Sequence, residues 1–205
     1  MHRIWNFVIT GGPCSGKTTG LEDLEKHFSE KGFKVIVFPE TATQVISSGI
    51  MFKETPAEIF QRCIFDISFV REEATRKLAE CLSKYHDKDV IIFYDRGLMD
   101  GKAYMDPNGF VKILKDNGFT EEDVKIRYNA IFHLVTTADG AEEFYTVENN
   151  KSRSEGLKEA KELDIKTYDA WGGHEKLYRF DNSTDFKTKI ENLIEKVEKE
   201  IESVK

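Results

Sequence analysis

The sequence has little of what marks secreted, membrane-spanning or metal-binding proteins. Its 205 residues include three cysteines, an odd number without a CxxC pair, so neither a disulfide framework nor a cysteine-rich metal site is indicated. No apolar run is long enough to cross a bilayer, and the first residues have the pattern of a strand rather than of a signal peptide. We therefore expect a cytoplasmic protein with reduced thiols and no membrane partner.

An excess of positive charge is also missing. Lysine and arginine number 30 against 37 aspartates and glutamates, a net charge of −7. An acidic surface discourages binding to nucleic acid, so no nucleic-acid partner is expected, although a local basic pocket for a phosphorylated ligand remains compatible with this balance. With 40% hydrophobic residues, the length is sufficient for one domain with a substantial core, and we predict a single domain over residues 1–205.

The hydrophobic pattern alternates between strands and helices. Strands are predicted at 4–10, 33–38, 90–94, 130–136 and 176–181. Helices are predicted at 17–31, 57–85 and from 184 to the end, and residues 57–85 carry apolar positions that favour a long helix packed along one stripe. This alternation predicts an α/β fold with a five-stranded parallel sheet. The polar segment at about 137–170 is interpreted as a helical lid insert.

One motif carries most of the functional signal. Residues 11–18, GGPCSGKT, fit the pattern G-x-x-x-x-G-K-[ST] between a predicted strand and a predicted helix, which is the context that a phosphate-binding P-loop requires. Backbone amides of such a loop and the positive end of the next helix cradle phosphates. We expect Lys17 to reach the β- and γ-phosphates and the Thr18 hydroxyl to bind Mg²⁺. The predicted nucleotide-binding residues are Gly11, Gly12, Pro13, Cys14, Ser15, Gly16, Lys17, Thr18 and Thr19; the alternative is a glycine turn with an exposed lysine.

Charged residues follow the second and third predicted strands. Asp95 ends an apolar strand, as a magnesium-binding aspartate of a P-loop protein does, or it caps the next turn. Arg96 is positioned to clamp a phosphate, or it forms a surface salt bridge. If the second and third strands are neighbours, Glu40 faces the same crevice and is a candidate to take a proton from an acceptor hydroxyl. Its alternative role is to begin the following helix.

Three further regions supply weaker candidates. Lys151 and Arg153 bring positive charge to the predicted lid, where Arg153 would stabilise a moving phosphoryl group, unless both are solvated. Asn182 follows the last strand and is a candidate base contact, or part of an ordinary turn. The histidines have no mutual metal-ligand spacing and are interpreted as structural or exposed. For the acceptor, the candidates on the long helix are Gln61, Arg62 and Arg71, unless these side chains are solvated.

Taken together, several segments resemble a known family. They are GGPCSGKTT, PETAT, YDRGLMDGKAYM, HLVTTADGAEEFYT, ENNKSRSE, DAWGGH and FDNSTDF. They resemble the AAA-type, ATPase- or kinase-like P-loop family, which includes the nicotinamide-riboside kinase domain of bacterial NAD regulators and a group of eukaryotic nucleotide-binding regulators. The resemblance implies a kinase-like sheet with nucleotide at 11–19, Asp95 and Arg96 at the phosphates, and a lid that carries Arg153.

These observations favour a small-molecule kinase that uses ATP and Mg²⁺ and phosphorylates a small, nucleoside-like acceptor. The rival is a nucleotide-hydrolysing switch, an ATPase or GTPase that acts through a protein partner. Guanine-selective P-loop proteins usually carry N/T-K-x-D, and the nearest segment, residues 150–153, lacks the aspartate. A module that has lost its chemistry is a third possibility, against which the intact Lys17, Thr18 and Asp95 argue. Neither the identity of the acceptor nor the oligomeric state follows from these residues.

Overall fold

The computed structural model of the chain describes residues 2–145 and 156–203 and contains strands and helices in alternation. The strands are β1 Ile4–Gly11, β2 Lys34–Phe38, β3 Val90–Asp95, β4 Ala130–Leu134 and β5 Leu177–Phe180. The helices are α1 Lys17–Glu30, α2 Thr41–Ser47, α3 Ala57–His86, α4 Pro107–Asp116, α5 Glu121–Lys125, α6 Leu157–Ala170 and α7 Phe186–Glu202. Short 3₁₀ segments lie at Phe52–Glu54, Leu98–Tyr104 and Glu142–Phe144.

The five strands form one sheet in the order β2-β3-β1-β4-β5, and every neighbouring pair is parallel. The predicted fold class is therefore confirmed, and each predicted strand is present with a shift of at most two residues at either end. Because all strands run in the same direction, their carboxyl ends meet at one edge of the sheet, where α/β proteins bind ligands. The central strands β1, β3 and β4 are almost entirely buried, as strands covered on both faces must be.

Helices cover both faces of the sheet, and a hydrophobic layer lies between the helices and the sheet on each face. On one face α1 and α7 pack against the sheet through residues such as Leu24, Phe28, Leu193 and Val197. On the other face the sheet packs against α3, α4 and the 3₁₀ segment Leu98–Tyr104, with Trp171 fully buried at the end of α6. The P-loop therefore lies between two packed layers, which hold β1 and α1 in fixed relative positions.

The orientation of α3 differs from the sequence interpretation. The helix exists with nearly the predicted bounds. Of the ten apolar positions on which the prediction rested, 60, 63, 64, 67, 70, 74, 78, 81, 82 and 85, six are exposed. Val70 is 66% exposed, Leu78 52% and Tyr85 83%. The face that packs inward carries Phe60, which is one of these predicted positions, together with Gln61, Phe65, Ser68, Glu72, Ala79 and Ser83. Helical spacing alone does not tell which face turns inward when a buried face includes polar groups that find partners in the tertiary structure.

The segment interpreted as a lid has two different parts. Its second half is α6, which packs against β1 and the 3₁₀ segment Leu98–Tyr104 and buries Ala160, Asp164, Thr167 and Ala170. This helix is a fixed part of the fold around the P-loop. Residues 146–155, including Lys151 and Arg153, lie outside the described residues, so the lid interpretation and the role given to Arg153 stay predictions.

Candidate functional site

The loop between β1 and α1 has the backbone geometry of a phosphate cradle. Cys14 and Gly16 adopt positive φ angles of 53° and 87°, and α1 begins directly afterwards at Lys17. A side chain at Gly11 would lie 2.0 Å from the carbonyl oxygen of Leu134, and one at Gly12 would lie 2.7 Å from a carboxylate oxygen of Asp164. Only glycine fits at these two positions, because neighbouring elements approach the loop so closely.

Lys17 lies folded over this loop. Its Nζ donates hydrogen bonds to the carbonyl oxygens of Gly11 at 3.3 Å and Gly12 at 3.0 Å, and to Ser15 Oγ at 3.2 Å. The side chain is 9% exposed, so a mobile surface lysine, the alternative considered from the sequence, is not what the structure contains. These neutral oxygens hold the ammonium at the position where phosphate oxygens are expected.

Asp95 lies beside the P-loop because β3 is the direct hydrogen-bonding neighbour of β1. In the register of the sheet Asp95 is opposite Ile9, two residues before the loop begins. Its Oδ1 is buried and has no hydrogen-bond partner among the residues that the structure describes. The pKa of this carboxyl group is raised overall, because burial and the nearby Glu40 raise it more than Lys17 lowers it. An unsatisfied buried carboxylate oxygen next to a phosphate loop is suited to a cation or an ordered water.

Glu40 lies in the same crevice, as expected for neighbouring strands β2 and β3. Its Oε1 accepts a 2.7 Å hydrogen bond from Arg96 Nε, and its Oε2 accepts one of 2.7 Å from Thr43 Oγ1. Burial raises the pKa of Glu40, but Arg96, Thr43 and Lys17 outweigh it, and the pKa is lowered overall. A carboxylate so well paired is a weak base, so the proton-accepting role predicted for Glu40 requires Arg96 to change partner when ligands bind.

Arg96 is held by acidic groups on both sides. Besides Glu40, it contacts Asp100 at 3.4 Å, and its guanidinium faces the ring of Tyr104. Burial opposes the charge of Arg96, but Tyr104, Glu40 and Asp100 hold its pKa above the ordinary value. Arg96 thus forms a partly buried ion pair inside the cleft that the P-loop lines, rather than the surface salt bridge considered from the sequence.

Asp100 organises this part of the site, and the sequence interpretation did not select it. Its carboxylate accepts hydrogen bonds from Thr10 Oγ1, from the amide of Gly97 at 2.8 Å and from Trp171 Nε1 at 3.2 Å. It is 3% exposed and joins β1, the turn after β3 and the end of α6. The only signal was its place in the segment YDRGLMD, five residues after Asp95.

A second buried carboxylate that the sequence did not reveal holds the P-loop from the other side. Asp164 on α6 accepts hydrogen bonds through Oδ1 from the amides of Gly12 at 2.7 Å and Thr136 at 3.0 Å, and its Oδ2 lies 3.1 Å from His133 Nε2. Burial raises the pKa of Asp164, but His133 and the two amides outweigh it and lower the pKa. His133 is fully buried, in agreement with the structural role expected for the histidines.

The P-loop opens into a cleft of about 970 Å³. One wall is formed by residues 13–19 and 95–98, and the opposite wall by 39–44 and the inner face of α3. Apolar rings also line the cleft, at Phe52, Phe60, Phe65 and Tyr104. Gln61 also lines the cleft and is 5% exposed, with its Oε1 next to Gly101. A side-chain amide among apolar rings is suited to a ligand with both donor and acceptor groups.

The other two acceptor candidates do not line the cleft. Arg62 turns outward and pairs with Asp66 at 3.0 Å and Asp116 at 2.8 Å, so the structure does not support it as an acceptor contact. Arg71 lies behind the wall, where it donates a 3.1 Å hydrogen bond to Thr41 Oγ1 and stacks over Phe38. Thr41 itself lines the cleft, so Arg71 supports the wall without reaching the space inside it.

Asn182 also has a different environment from the one predicted. Its Nδ2 donates to the carbonyl oxygens of Thr136 at 2.8 Å and Asp139 at 2.7 Å, and its Oδ1 accepts from Lys189 Nζ at 2.8 Å. Both amide hydrogens are used to hold the turn after β4, and Asn182 does not line the cleft. A base contact through this amide would require these hydrogen bonds to break, so the geometry favours the structural alternative.

On the inner face of α3, Glu72 is buried next to a tyrosine and two arginines. Both of its oxygens accept from Tyr128 Oη, at 2.8 and 3.0 Å, and Arg76 and Arg127 lie within 4 Å. Burial outweighs these partners and raises the pKa of Glu72 to about 7. Tyr128 Oη also accepts a hydrogen bond from the amide of Leu98, which connects these side chains to the wall of the cleft.

Comparison with known proteins gives one family. A model of the family described as "AAA domain" matches residues 6–189, which begins within β1, includes the P-loop and extends into α7. No curated protein matches the chain. Among the described residues there is no helix long and apolar enough to cross a membrane and no cluster of three or more metal-binding side chains. The matched region includes every described part of the cleft, and the chain belongs to the AAA domain family of P-loop nucleotide-binding proteins.

Proposed function

We propose that this protein is an ATP-dependent small-molecule kinase, which transfers the γ-phosphoryl group of ATP to a hydroxyl or phosphate of a small, nucleoside-like acceptor. The cleft carries this proposal. It begins at the phosphate loop, passes Asp95 and Arg96, and continues into a chamber lined by aromatic rings and Gln61. A hydrolytic switch needs only a water molecule at the γ-phosphate, whereas a kinase needs space for a second substrate in line with the phosphates.

The residues around the loop suit a triphosphate. The amides of residues 14–19 and the start of α1 supply donors and a positive helix end. Lys17 supplies the cation, and the phosphate oxygens would replace the carbonyl oxygens that it contacts now. Thr18 and Asp95 would hold Mg²⁺, and the partnerless Oδ1 of Asp95 fits this role. Bound Mg²⁺ would neutralise charge on the phosphate oxygens.

The acceptor end of the cleft supports a planar, polar-edged ligand. Phe60, Phe65 and Tyr104 provide surfaces against which an aromatic ring packs favourably. The Gln61 amide lines the cleft, is 5% exposed and offers one acceptor and one donor group. Arg96 and Glu40 stand between the chamber and the P-loop, where a hydroxyl of the acceptor would meet the γ-phosphoryl group. Rearrangement of this ion pair would free Glu40 to accept the hydroxyl proton.

A two-stage experiment tests the proposal. A thermal-shift screen of ATP and GTP, with and without Mg²⁺, first identifies the nucleotide; a ligand at 100 times its dissociation constant stabilises by about 2.7 kcal/mol. Nucleosides and other small hydroxyl compounds are then added, and ADP release is measured with a coupled assay. We expect ADP release to depend on one class of acceptor and a phosphorylated product to appear by mass spectrometry. ADP release that no acceptor increases, with a product that is only inorganic phosphate, would favour the hydrolytic switch.

Variants of two adjacent residues make the test specific. Gln61→Leu keeps the side-chain volume but removes the amide, and we expect the KM for the acceptor to rise roughly 10–100-fold while the KM for ATP stays the same. Arg62→Ala is the matched control, because Arg62 lies next in sequence but outside the cleft. Equal effects of the two variants, or a changed KM for ATP in Gln61→Leu, would refute the assignment of the chamber to the acceptor.

A further inference from the structure

The outer face of α3 presents apolar side chains along nearly the whole helix. The apolar stripe consists of Ile59, Cys63, Ile67, Val70, Ala74, Leu78, Cys81 and Tyr85. These positions follow one another at intervals of three or four residues, so they form a continuous band about 39 Å long. Ile59 is 60% exposed, and Val70, Leu78 and Tyr85 are each more than half exposed. Single exposed apolar residues are ordinary, but a band of this length marks an interaction surface.

The spacing of the apolar stripe is nearly the same when it is read in either direction from Glu72. Ile59 and Tyr85 are equally distant from this midpoint in sequence, and so are Cys63 and Cys81. An interface between two identical chains related by a two-fold axis requires such self-complementarity, because each residue must meet a suitable residue of the same surface. The stripe therefore fits a second copy of itself running in the opposite direction.

The charges beside the apolar stripe support the same arrangement. At 100° per residue the charged side chains Asp66, Lys77 and Lys84 lie on one flank of the stripe, with the acidic residue in the first half of the helix and the basic residues in the second. In an antiparallel pair centred on Glu72, Asp66, which pairs with Arg62 within its own chain, meets Lys77 of the second copy. Within the described residues neither lysine has an ion pair, whereas a parallel pair would place Asp66 opposite Asp66.

We propose that the apolar stripe of α3 is an antiparallel two-fold interface between two copies of this chain. A band 39 Å long and about one helix diameter of 10 Å wide has a footprint of about 400 Å², smaller than the roughly 800 Å² per partner of a standard interface. The charged flank enlarges the contact. Dissociation constants in the micromolar range are expected. The inner face of α3 lines the cleft, so both clefts stay open in the dimer.

Analytical ultracentrifugation tests the interface directly. The full chain is studied from about 1 to 200 μM, a range centred on the expected dissociation constant. Val70→Glu places a charge near the two-fold axis and should raise the dissociation constant about 100-fold, the size of effect typical of a central interface residue. The control is Ile165→Glu, a change at a residue 58% exposed on α6 and away from the stripe. A wild-type chain that is monomeric throughout this range, or a Val70→Glu chain that dimerises like wild type, would overturn the proposal.

Two native cysteines report the direction and register of the helices. In the proposed dimer Cys63 of one copy faces Cys81 of the other, and packed helices lie 8–10 Å apart, which a short bismaleimide cross-linker spans. Mass spectrometry of the cross-linked dimer should yield the Cys63–Cys81 peptide pair, and Cys81→Ser should abolish it. Cross-links of Cys63 to Cys63 and of Cys81 to Cys81 would show a parallel pair and contradict the proposed interface, as would a dimer in which neither cysteine reacts across the interface.

Discussion

Removal of the carboxylate of Asp164 should loosen the P-loop and destabilise the whole fold. Asp164 is 3% exposed, and its Oδ1 is the acceptor for the amides of Gly12 and Thr136. Asp164→Ala leaves both amides buried without a partner, and a buried donor that loses its partner costs about 1–3 kcal/mol. Because His133 also loses its partner, we expect the free energy of unfolding to fall by about 3–5 kcal/mol. For a chain of this size, that corresponds to a fall in melting temperature of about 6–20 °C.

Two further variants at α6 distinguish this mechanism from a general effect on the helix. Asp164→Asn retains an oxygen that can accept both amides, so it should recover more than half of the lost stability. Asp169→Ala removes an exposed carboxylate from the same helix and should change stability by no more than about 0.5 kcal/mol. Thermal denaturation followed by circular dichroism measures all three, and calorimetry with ATP should show weaker binding for Asp164→Ala. A melting temperature within about 2 °C of wild type for Asp164→Ala would refute the reasoning.

The remaining predictions concern the P-loop, the two carboxylates of the cleft and Glu72. Lys17→Ala should weaken ATP binding and abolish turnover without unfolding the chain; unchanged affinity by calorimetry would contradict the P-loop role. Asp95→Asn should lower activity in a way that added Mg²⁺ partly restores, whereas Glu40→Gln should leave ATP binding intact and slow transfer by roughly 10²–10⁴-fold; equal loss of ATP affinity would refute this division. The pKa of Glu72 is raised from 4.5 to about 7, so the folded chain binds its proton more tightly than the unfolded chain. The stability that this proton contributes is fully present below pH 4.5 and is lost as the pH rises through 7. Between pH 5 and 8 the free energy of unfolding of wild type should therefore fall by roughly 1–3 kcal/mol relative to that of Glu72→Gln. Equal changes with pH in the two proteins, measured by denaturation, would contradict this.

The sequence by itself determined the fold class and the position of the phosphate loop. The pattern G-x-x-x-x-G-K-[ST] between a strand and a helix is a local property of consecutive residues, and so is the alternation of apolar runs that predicted the five parallel strands. Asp95 and Glu40 were also accessible, because the end of a parallel strand is recognisable in sequence and all such ends meet at one edge of the sheet. Their common crevice followed once β2 and β3 were neighbours.

Only the tertiary structure decided which polar groups find partners and which face of a helix is buried. Asp164 meets Gly12 across 152 positions of the chain, and no local pattern encodes such a contact. Asn182 has the residue type of a base contact, yet Lys189 and two carbonyl oxygens occupy its amide. The periodicity of α3 predicted a helix correctly but not its orientation, because the energy of burial depends on the surface opposite each face. The same reason leaves the apolar stripe exposed in one chain and suited to a second.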